Sequence, residues 1–180
     1  MVRSAVNVSP VQFRTPHLVA VVQRALAQSG LSAARLELEI TESVLMANND
    51  ATLAILHQLR ALGVRISMDD FGTGFSSLSY LRSFPFDKIK IDQSFVRDLT
   101  TTAGAGGNAQ AIVRAIAGLG SNLGMRTTAE GVETQEQLDR VRREGCTEAQ
   151  GYLVSRPAPA ADVPGLIARF ASKTLAVASV

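Results

Sequence analysis

Two adjacent aspartates, Asp69 and Asp70, follow a run in which Val64, Ile66 and Met68 alternate with other residues. This alternation predicts a strand whose apolar side chains share one face. Successive side chains on a strand point to opposite faces, but both aspartates can turn toward one point where the strand frays at its carboxyl end. Two neighbouring carboxylates repel unless a cation lies between them, so one interpretation is a divalent metal site with oxygen ligands. The other is a turn that joins a strand to a helix, and this stretch alone leaves both open.

Polar residues also collect where the other predicted strands end, and each of the six strands delivers at least one. They are Asn7, Glu39 and Glu42, Asp69 and Asp70, Lys90 and Asp92, Glu130 and Glu133, and Gln150. In a (β/α) barrel these strand ends converge on one mouth, which is where such barrels place their sites. A buried carboxylate inside an otherwise apolar strand needs a partner. The regularity therefore favours a functional site over a randomly decorated surface.

Strands and helices are predicted to alternate along the chain. Period-two patterns predict strands over residues 5–9, 36–42, 64–68, 88–92, 125–129 and 146–150. Apolar periodicity predicts helices near 18–25, 55–62, 76–82, 112–123, 134–141 and 163–170, and the small polar stretch 100–108 predicts a flexible loop. Glycines separate helix from strand at Gly30, Gly63, Gly124 and Gly145, and Thr134 with Gln137 makes a capping box.

This alternation predicts an α/β fold with a parallel sheet of short apolar strands, buried on both faces. An open doubly wound sheet and a (β/α) barrel both fit the pattern. The 180 residues suit one domain, and the net charge of +2 is too small to indicate a duplex nucleic acid partner. Cys146 is the only cysteine, which makes the cytoplasm the expected location, and no apolar run approaches the length of a membrane span.

Six sequence pieces, in order, resemble one family. They are Asn7-Val8-Ser9-Pro10, Glu39-Ile40-Thr41-Glu42, the run from Asp69 to Leu78, Lys90-Ile91-Asp92-Gln93-Ser94-Phe95, Ala129-Glu130-Gly131-Val132-Glu133-Thr134 and Gln150-Gly151-Tyr152. With these pieces the chain resembles the EAL-domain family of bacterial cyclic di-GMP phosphodiesterases. The resemblance implies a TIM-like (β/α) barrel over residues 1–172, followed by a frayed tail over 173–180.

The resemblance also implies hydrolysis of cyclic di-GMP to linear pGpG with two divalent cations, Mg²⁺ or Mn²⁺. On the matching positions, Asn7, Glu39 and Asp69 would hold one cation. Asp69 would bridge to a second cation, held also by Asp70 and Glu130. Lys90 would position the attacking water, and Glu130 would be either the general base or a metal ligand. A metal pair of this kind binds the scissile phosphate, lowers the pKa of a water and stabilises the leaving oxygen.

Other matching residues would support this site. Glu42 would hold the loop formed by Phe71, Gly72, Thr73, Gly74, Phe75, Ser76 and Ser77, which in the family supports the metal site and links it to dimerisation. Asp92, Glu133 and Gln150 would be further polar members of the mouth. The resemblance thus implies a homodimer joined to sensory or cyclase domains in a full-length protein.

Several of these residues also have simpler interpretations. Asn7 could bond the backbone before Pro10, and Lys90 could reach solvent. Glu133 could favour the start of a helix, and Glu42 could pair with a nearby hydroxyl. Gln150 could be a surface amide at a strand end.

The sequence departs from the family at its beginning. The Glu-Ala-Leu-x-Arg motif, expected before Asn7, is absent, and six predicted strands are two fewer than in a closed barrel. Because that motif supplies another carboxylate for the metals, we expect the chain by itself to have little or no phosphodiesterase activity. The alternative function is a catalytically inactive module that binds cyclic di-GMP or regulates a partner.

Overall fold

The computed structural model describes residues 2–15, 17–46, 49–73, 81, 84, 86–100 and 105–169. The strands are β1 (Ser4–Asn7), β2 (Leu36–Thr41), β3 (Arg65–Phe71), β4 (Lys88–Ile91), β5 (Arg126–Ala129) and β6 (Glu148–Ala149). The helices are α1 (Pro10–Phe13), α2 (Leu18–Ser29), α3 (Glu42–Met46), α4 (Asn49–Ala61), α5 (Gln93–Asp98), α6 (Ala105–Asn122), α7 (Gln135–Arg143) and α8 (163–169). All six predicted strands are present, each close to its expected bounds.

The strands form one parallel sheet in the order in which they occur along the chain. A doubly wound sheet reverses its strand order at a switch point, whereas a (β/α) barrel adds each strand beside the previous one. The sequential order therefore decides between the two folds that the pattern left open. The described residues form six strands of an incomplete TIM-like barrel, with β1 and β6 at the edges of this sheet.

Local signals in the sequence set the helix boundaries. The predicted capping box is confirmed, because Thr134 accepts from the backbone N–H of Gln137 and the Gln137 side chain accepts from that of Thr134. A second capping box joins Ser9 and Gln12 at the start of α1. The four glycines predicted between helix and strand all have positive φ angles, from 66° at Gly30 to 94° at Gly145.

The two faces of the sheet differ. One face packs against the helices and forms the core with Leu38, Ile40, Ile66, Met68, Ile89 and Ile91. The opposite face carries charged side chains, with Glu37, Glu39 and Lys90 buried on it. The prediction of strands buried on both faces is therefore confirmed for β2, β3 and β4, but the expectation that they are apolar holds for one face only. Long acidic and basic side chains on neighbouring strands neutralise one another there.

Two further expectations differ from the structure or fall outside it. The predicted loop over 100–108 was wrong in its second half, because α6 begins at Ala105 and includes Gly106, Gly107 and Asn108. The predicted helix over 76–82, the loop residues 74–77 and the tail over 173–180 lie outside the described residues, apart from Leu81, which is helical. In the described part of the chain, no helix is long and apolar enough to cross a membrane.

Candidate functional site

The adjacent aspartates lie on a bulge in β3. Met68 pairs with Ile89 and Phe71 pairs with Ile91, so Asp69 and Asp70 together face the single residue Lys90 of the next strand. Asp70 has a φ of 53°, the left-handed region that is unusual for a residue other than glycine. Strand fraying is thus not what brings the two carboxylates together, since β3 continues through Phe71. The extra residue interrupts the alternation and lets both side chains approach the same point.

Lys90 lies at the centre of three carboxylates, which form the upper ion cluster with it. Its Nζ is 2.8 Å from Oε2 of Glu39, 2.9 Å from Oδ1 of Asp69 and 2.7 Å from Oε1 of Glu130. These residues come from β2, β3 and the end of β5, on both sides of β4. The Lys90 side chain is 4% exposed. The structure therefore excludes the interpretation of Lys90 as a side chain that reaches solvent.

Burial and charge shift the pKa values at this site. Burial disfavours the charged ammonium, but the ion pairs with the three carboxylates outweigh it and raise the pKa of Lys90 above its ordinary value. Burial raises the pKa of Glu130, and the contact with Lys90 offsets only part of that shift. Burial and then the neighbouring Asp69 charge raise the pKa of Asp70. Lys90 is thus held as a cation, whereas the raised pKa values of Asp70 and Glu130 make these two carboxyl groups harder to ionise.

Three carboxylates at the site fit a divalent cation. Single ligand oxygens of Asp69, Asp70 and Glu130 all lie within 4.8 Å of one another. Carboxylate oxygens are the ligands that Mg²⁺ and Mn²⁺ prefer, and a cation between them would relieve their mutual repulsion. Asn7 aligns in register with Glu39 on the neighbouring strand β1, where its side chain is exposed.

A cavity of about 300 Å³ opens beside these carboxylates, and we call it the mouth cavity. Its lining residues are Asp70, Asp92, Gln93, Glu130, Gly131, Glu133, Gln150, Gly151 and Tyr152. Three predicted members of the mouth, Asp92, Glu133 and Gln150, are therefore on its wall. Asp92 has a structural task as well, because its Oδ1 accepts from the backbone N–H of Ser94, 2.9 Å away, and caps α5.

The loop after β3 is anchored from α3. Oε1 of Glu42 accepts from the backbone N–H of Gly72 at 3.5 Å. Gly72 has a φ of 99°, and a Cβ there would lie 3.0 Å from the Phe95 ring, so a larger residue would strain the backbone and press on this ring. Phe71 is buried in the core, and the Thr73 hydroxyl donates to the backbone oxygen of Asp70.

A second group of charged residues lies deeper in the sheet, and we call it the lower ion cluster. Nζ of Lys88 is 2.8 Å from both Oε1 of Glu37 and Oε2 of Glu148, and Nη1 of Arg126 is 2.7 Å from Oε1 of Glu148. These residues were not predicted as a group, because they lie within the strands and not at their carboxyl ends. The signal was present, since Glu37 and Lys88 each lie two residues before a member of the upper ion cluster and so share its face.

Comparison with known proteins agrees with this geometry. A family model described as the EAL domain matches residues 1–157. The chain belongs to the EAL domain family. The Pseudomonas aeruginosa protein named bifunctional diguanylate cyclase/cyclic di-GMP phosphodiesterase MucR is 47% identical to it over 156 residues, which are 87% of the chain and 22% of that protein. The chain spans 19% to 26% of the length of the most similar curated relatives.

Solved structures show the same EAL fold. The PaMucR phosphodiesterase in complex with c-di-GMP is 45% identical with a TM-score of 0.83, and the match covers 89% of this chain and 64% of that one. Klebsiella pneumoniae BlrP1, solved with manganese and cy-diGMP, is 35% identical with a TM-score of 0.79 over 87% of this chain and 39% of that one. The TIM-like fold, inferred above from strand order, is therefore shared with EAL enzymes.

Proposed function

We propose that this EAL domain binds cyclic di-GMP and hydrolyses it to linear pGpG with divalent cations. The observation that carries the proposal is the convergence of Glu39, Asp69 and Glu130 on Lys90, with Asp70 beside them at the mouth of the barrel. Relatives whose names describe cyclic di-GMP phosphodiesterases support the choice of substrate.

The oxygen donors of the site suit a pair of Mg²⁺ or Mn²⁺ ions. We propose Asn7, Glu39 and Asp69 as ligands of one ion and Asp69, Asp70 and Glu130 as ligands of the other. Bound metals of this kind supply charge that stabilises the phosphate and lowers the pKa of a water.

The residues of the chain supply the remaining chemistry. Lys90 stays protonated, so its N–H groups can donate to a water or a phosphate oxygen and offset developing negative charge. Glu130, whose pKa is raised by burial, is a better proton acceptor than an exposed carboxylate would be, and it lies on the wall of the mouth cavity. Asp92, Glu133 and Gln150 line the same cavity and are proposed to position the substrate. Glu42 and the loop from Phe71 are proposed to hold Asp70 in place.

The wider context of this domain is also a proposal. Because the chain spans about a fifth of its curated relatives, we propose that it acts beside sensory or cyclase domains. Pairing into a homodimer and a cytoplasmic location stay predictions from the family resemblance and the single cysteine.

The test is a single-turnover assay with enzyme in excess over cyclic di-GMP, so that slow hydrolysis is also detected. We expect pGpG, measured by chromatography, to form only with Mn²⁺ or Mg²⁺. Asp69→Asn should reduce the rate at least about 100-fold, since it removes a charged ligand shared by both proposed ions. Asp139→Asn, a matched change on the exposed side of α7, should leave the rate unchanged. Binding of cyclic di-GMP without conversion would favour the inactive binding module instead.

A further inference from the structure

Gln93 is a polar residue of the mouth cavity that the mechanism above does not use. It is the first residue of α5, directly after the capping residue Asp92. Its side chain is exposed and lines the mouth cavity. In the described part of the chain, its amide forms no hydrogen bond with another residue, so both its N–H₂ donor and its carbonyl acceptor are available to a ligand.

The fold brings this amide against the segment that carries Glu130. Gly131 has a φ of 65°, and a Cβ built on it would lie 2.5 Å from Cβ of Gln93 and 3.3 Å from its Oε1. This approach is possible only because Gly131 lacks a side chain. Gln93 is therefore held next to Glu130, on the wall of the mouth cavity.

The charge of the cavity indicates which part of a ligand Gln93 meets. Four carboxylates line the cavity, from Asp70, Asp92, Glu130 and Glu133, and the lining includes no cationic side chain among the described residues. Where no metal ion is bound, this acidic wall repels phosphate groups. It favours groups that donate hydrogen bonds. The edge of guanine presents two such donors, N1–H and the N2 amino group, next to the acceptor O6. A carboxylate can accept hydrogen bonds from guanine N1–H and N2, whereas O6 needs a donor such as an amide N–H.

We propose that Gln93 is a specificity residue that donates from its amide to O6 of one guanine of the substrate. This inference rests on the proposed function and adds to it a residue that recognises the guanine base. Adenine presents an amino group in place of O6 and an acceptor in place of N1–H. A carboxylate that accepts from guanine N1–H would face an acceptor in adenine, and the Gln93 amide would have to turn its carbonyl oxygen towards the adenine amino group, so cyclic di-AMP binds more weakly.

The test compares two glutamines with the same structural position. Gln135 is the first residue of α7, directly after its capping residue Thr134, and it lies away from the mouth cavity. Calorimetric titration with cyclic di-GMP and cyclic di-AMP would be done in Ca²⁺, an ion present with the ligand in a BlrP1 complex. We expect Gln93→Ala to weaken cyclic di-GMP binding about fivefold to tenfold, as expected for one lost hydrogen bond, and cyclic di-AMP binding less than about twofold. Gln135→Ala should change neither.

Gln93→Glu is the second variant, because it keeps the size and the acceptor but replaces the donor with a fifth carboxylate. It should weaken cyclic di-GMP binding more than the alanine variant does. An equal loss for both ligands, or no loss in Gln93→Ala, would overturn the assignment of base recognition to Gln93. Failure of the unaltered chain to bind cyclic di-GMP at all would instead contradict the proposed function.

Discussion

Lys88 and Lys90 project from the same face of β4, two residues apart, and each ammonium contacts a separate set of carboxylates. Lys88 lies between Glu37 and Glu148 in the lower ion cluster. With Arg126, this cluster holds two cations and two carboxylates and is therefore balanced.

The upper ion cluster is not balanced. Lys90 is its only cation among the described residues, and it faces three carboxylates, with Asp70 close by. The excess of negative charge lies at the barrel mouth, where divalent cations are proposed to bind. The lower ion cluster lies deeper in the sheet, and because its own charges are balanced it does not neutralise the excess negative charge of the upper ion cluster.

Replacing Lys88 by Met tests the lower ion cluster. The Glu37 side chain is 2% exposed, so losing its partner would leave a buried charge without compensation. We expect a loss of about 3–5 kcal/mol in the free energy of unfolding, measured with urea. The double variant Glu37→Met/Lys88→Met should recover most of this loss because both charges are removed. A double variant as unstable as the single one would show that Lys88 contributes through packing alone.

The pH dependence of stability tests the environment of Asp70. Its pKa is raised above the ordinary 3.8, chiefly by burial, so the folded protein binds this proton more tightly than the unfolded chain does. Stability from this group is present below about pH 3.8 and is lost as the pH rises through the folded pKa. We therefore expect Asp70→Asn to gain stability relative to the unaltered protein as the pH rises through that window, in metal-free buffer. A constant difference between the two proteins from pH 3 to 7 would contradict this expectation.

Alanine substitutions at Gly131 and Gly124 distinguish the effect of backbone strain on stability from the effect of close packing. Both have left-handed φ angles, 65° and 70°, but a Cβ at Gly124 meets nothing within 4 Å, whereas one at Gly131 meets Gln93. We expect Gly124→Ala to cost about 1–2 kcal/mol of unfolding free energy through strain alone. Gly131→Ala should cost a further 1–3 kcal/mol or so because α5 must move. If the two variants lose the same unfolding free energy in thermal or urea unfolding, Gln93 can move away from the new Cβ without a loss of stability.

Asp92 combines a helix cap with a place on the cavity wall, and two substitutions distinguish these roles. Asp92→Ala removes the acceptor for the Ser94 N–H and should destabilise the protein by about 1 kcal/mol. Asp92→Asn retains a capping oxygen and should preserve stability within about 0.5 kcal/mol. If Asp92 also contacts substrate, the asparagine variant will weaken cyclic di-GMP binding despite normal stability. Unchanged binding in that variant would restrict Asp92 to capping.

Much of the fold could be predicted because its signals are local. Thr134 and Gln137 cap α7 through neighbours in sequence, and Gly63 ends its helix by its own backbone freedom. The gathering of Glu39 and Asp69 near Lys90 could also be predicted, since parallel strands bring their carboxyl ends to one edge.

The remaining features depend on pairing between distant strands. The bulge at Asp69 and Asp70 is defined only by how β3 aligns with β4, which no short pattern in either strand reveals. The burial of Lys88 likewise depends on Glu37 and Glu148, which lie far from it in sequence. At the start of α6, the helix includes two glycines despite their low helix propensity, and propensity alone predicted a loop.

The extra residue in β3 has an effect beyond the two carboxylates. It shifts the phase of the strand by one position, so that Phe71 falls on the same side as Ile66 and Met68 and is buried with them. Deleting one aspartate would restore the regular alternation, so Phe71 would stay in the core while the acidic pair would be lost. The inserted residue thus gives the barrel mouth a second carboxylate while the apolar side chains of β3 keep their pairing with β4.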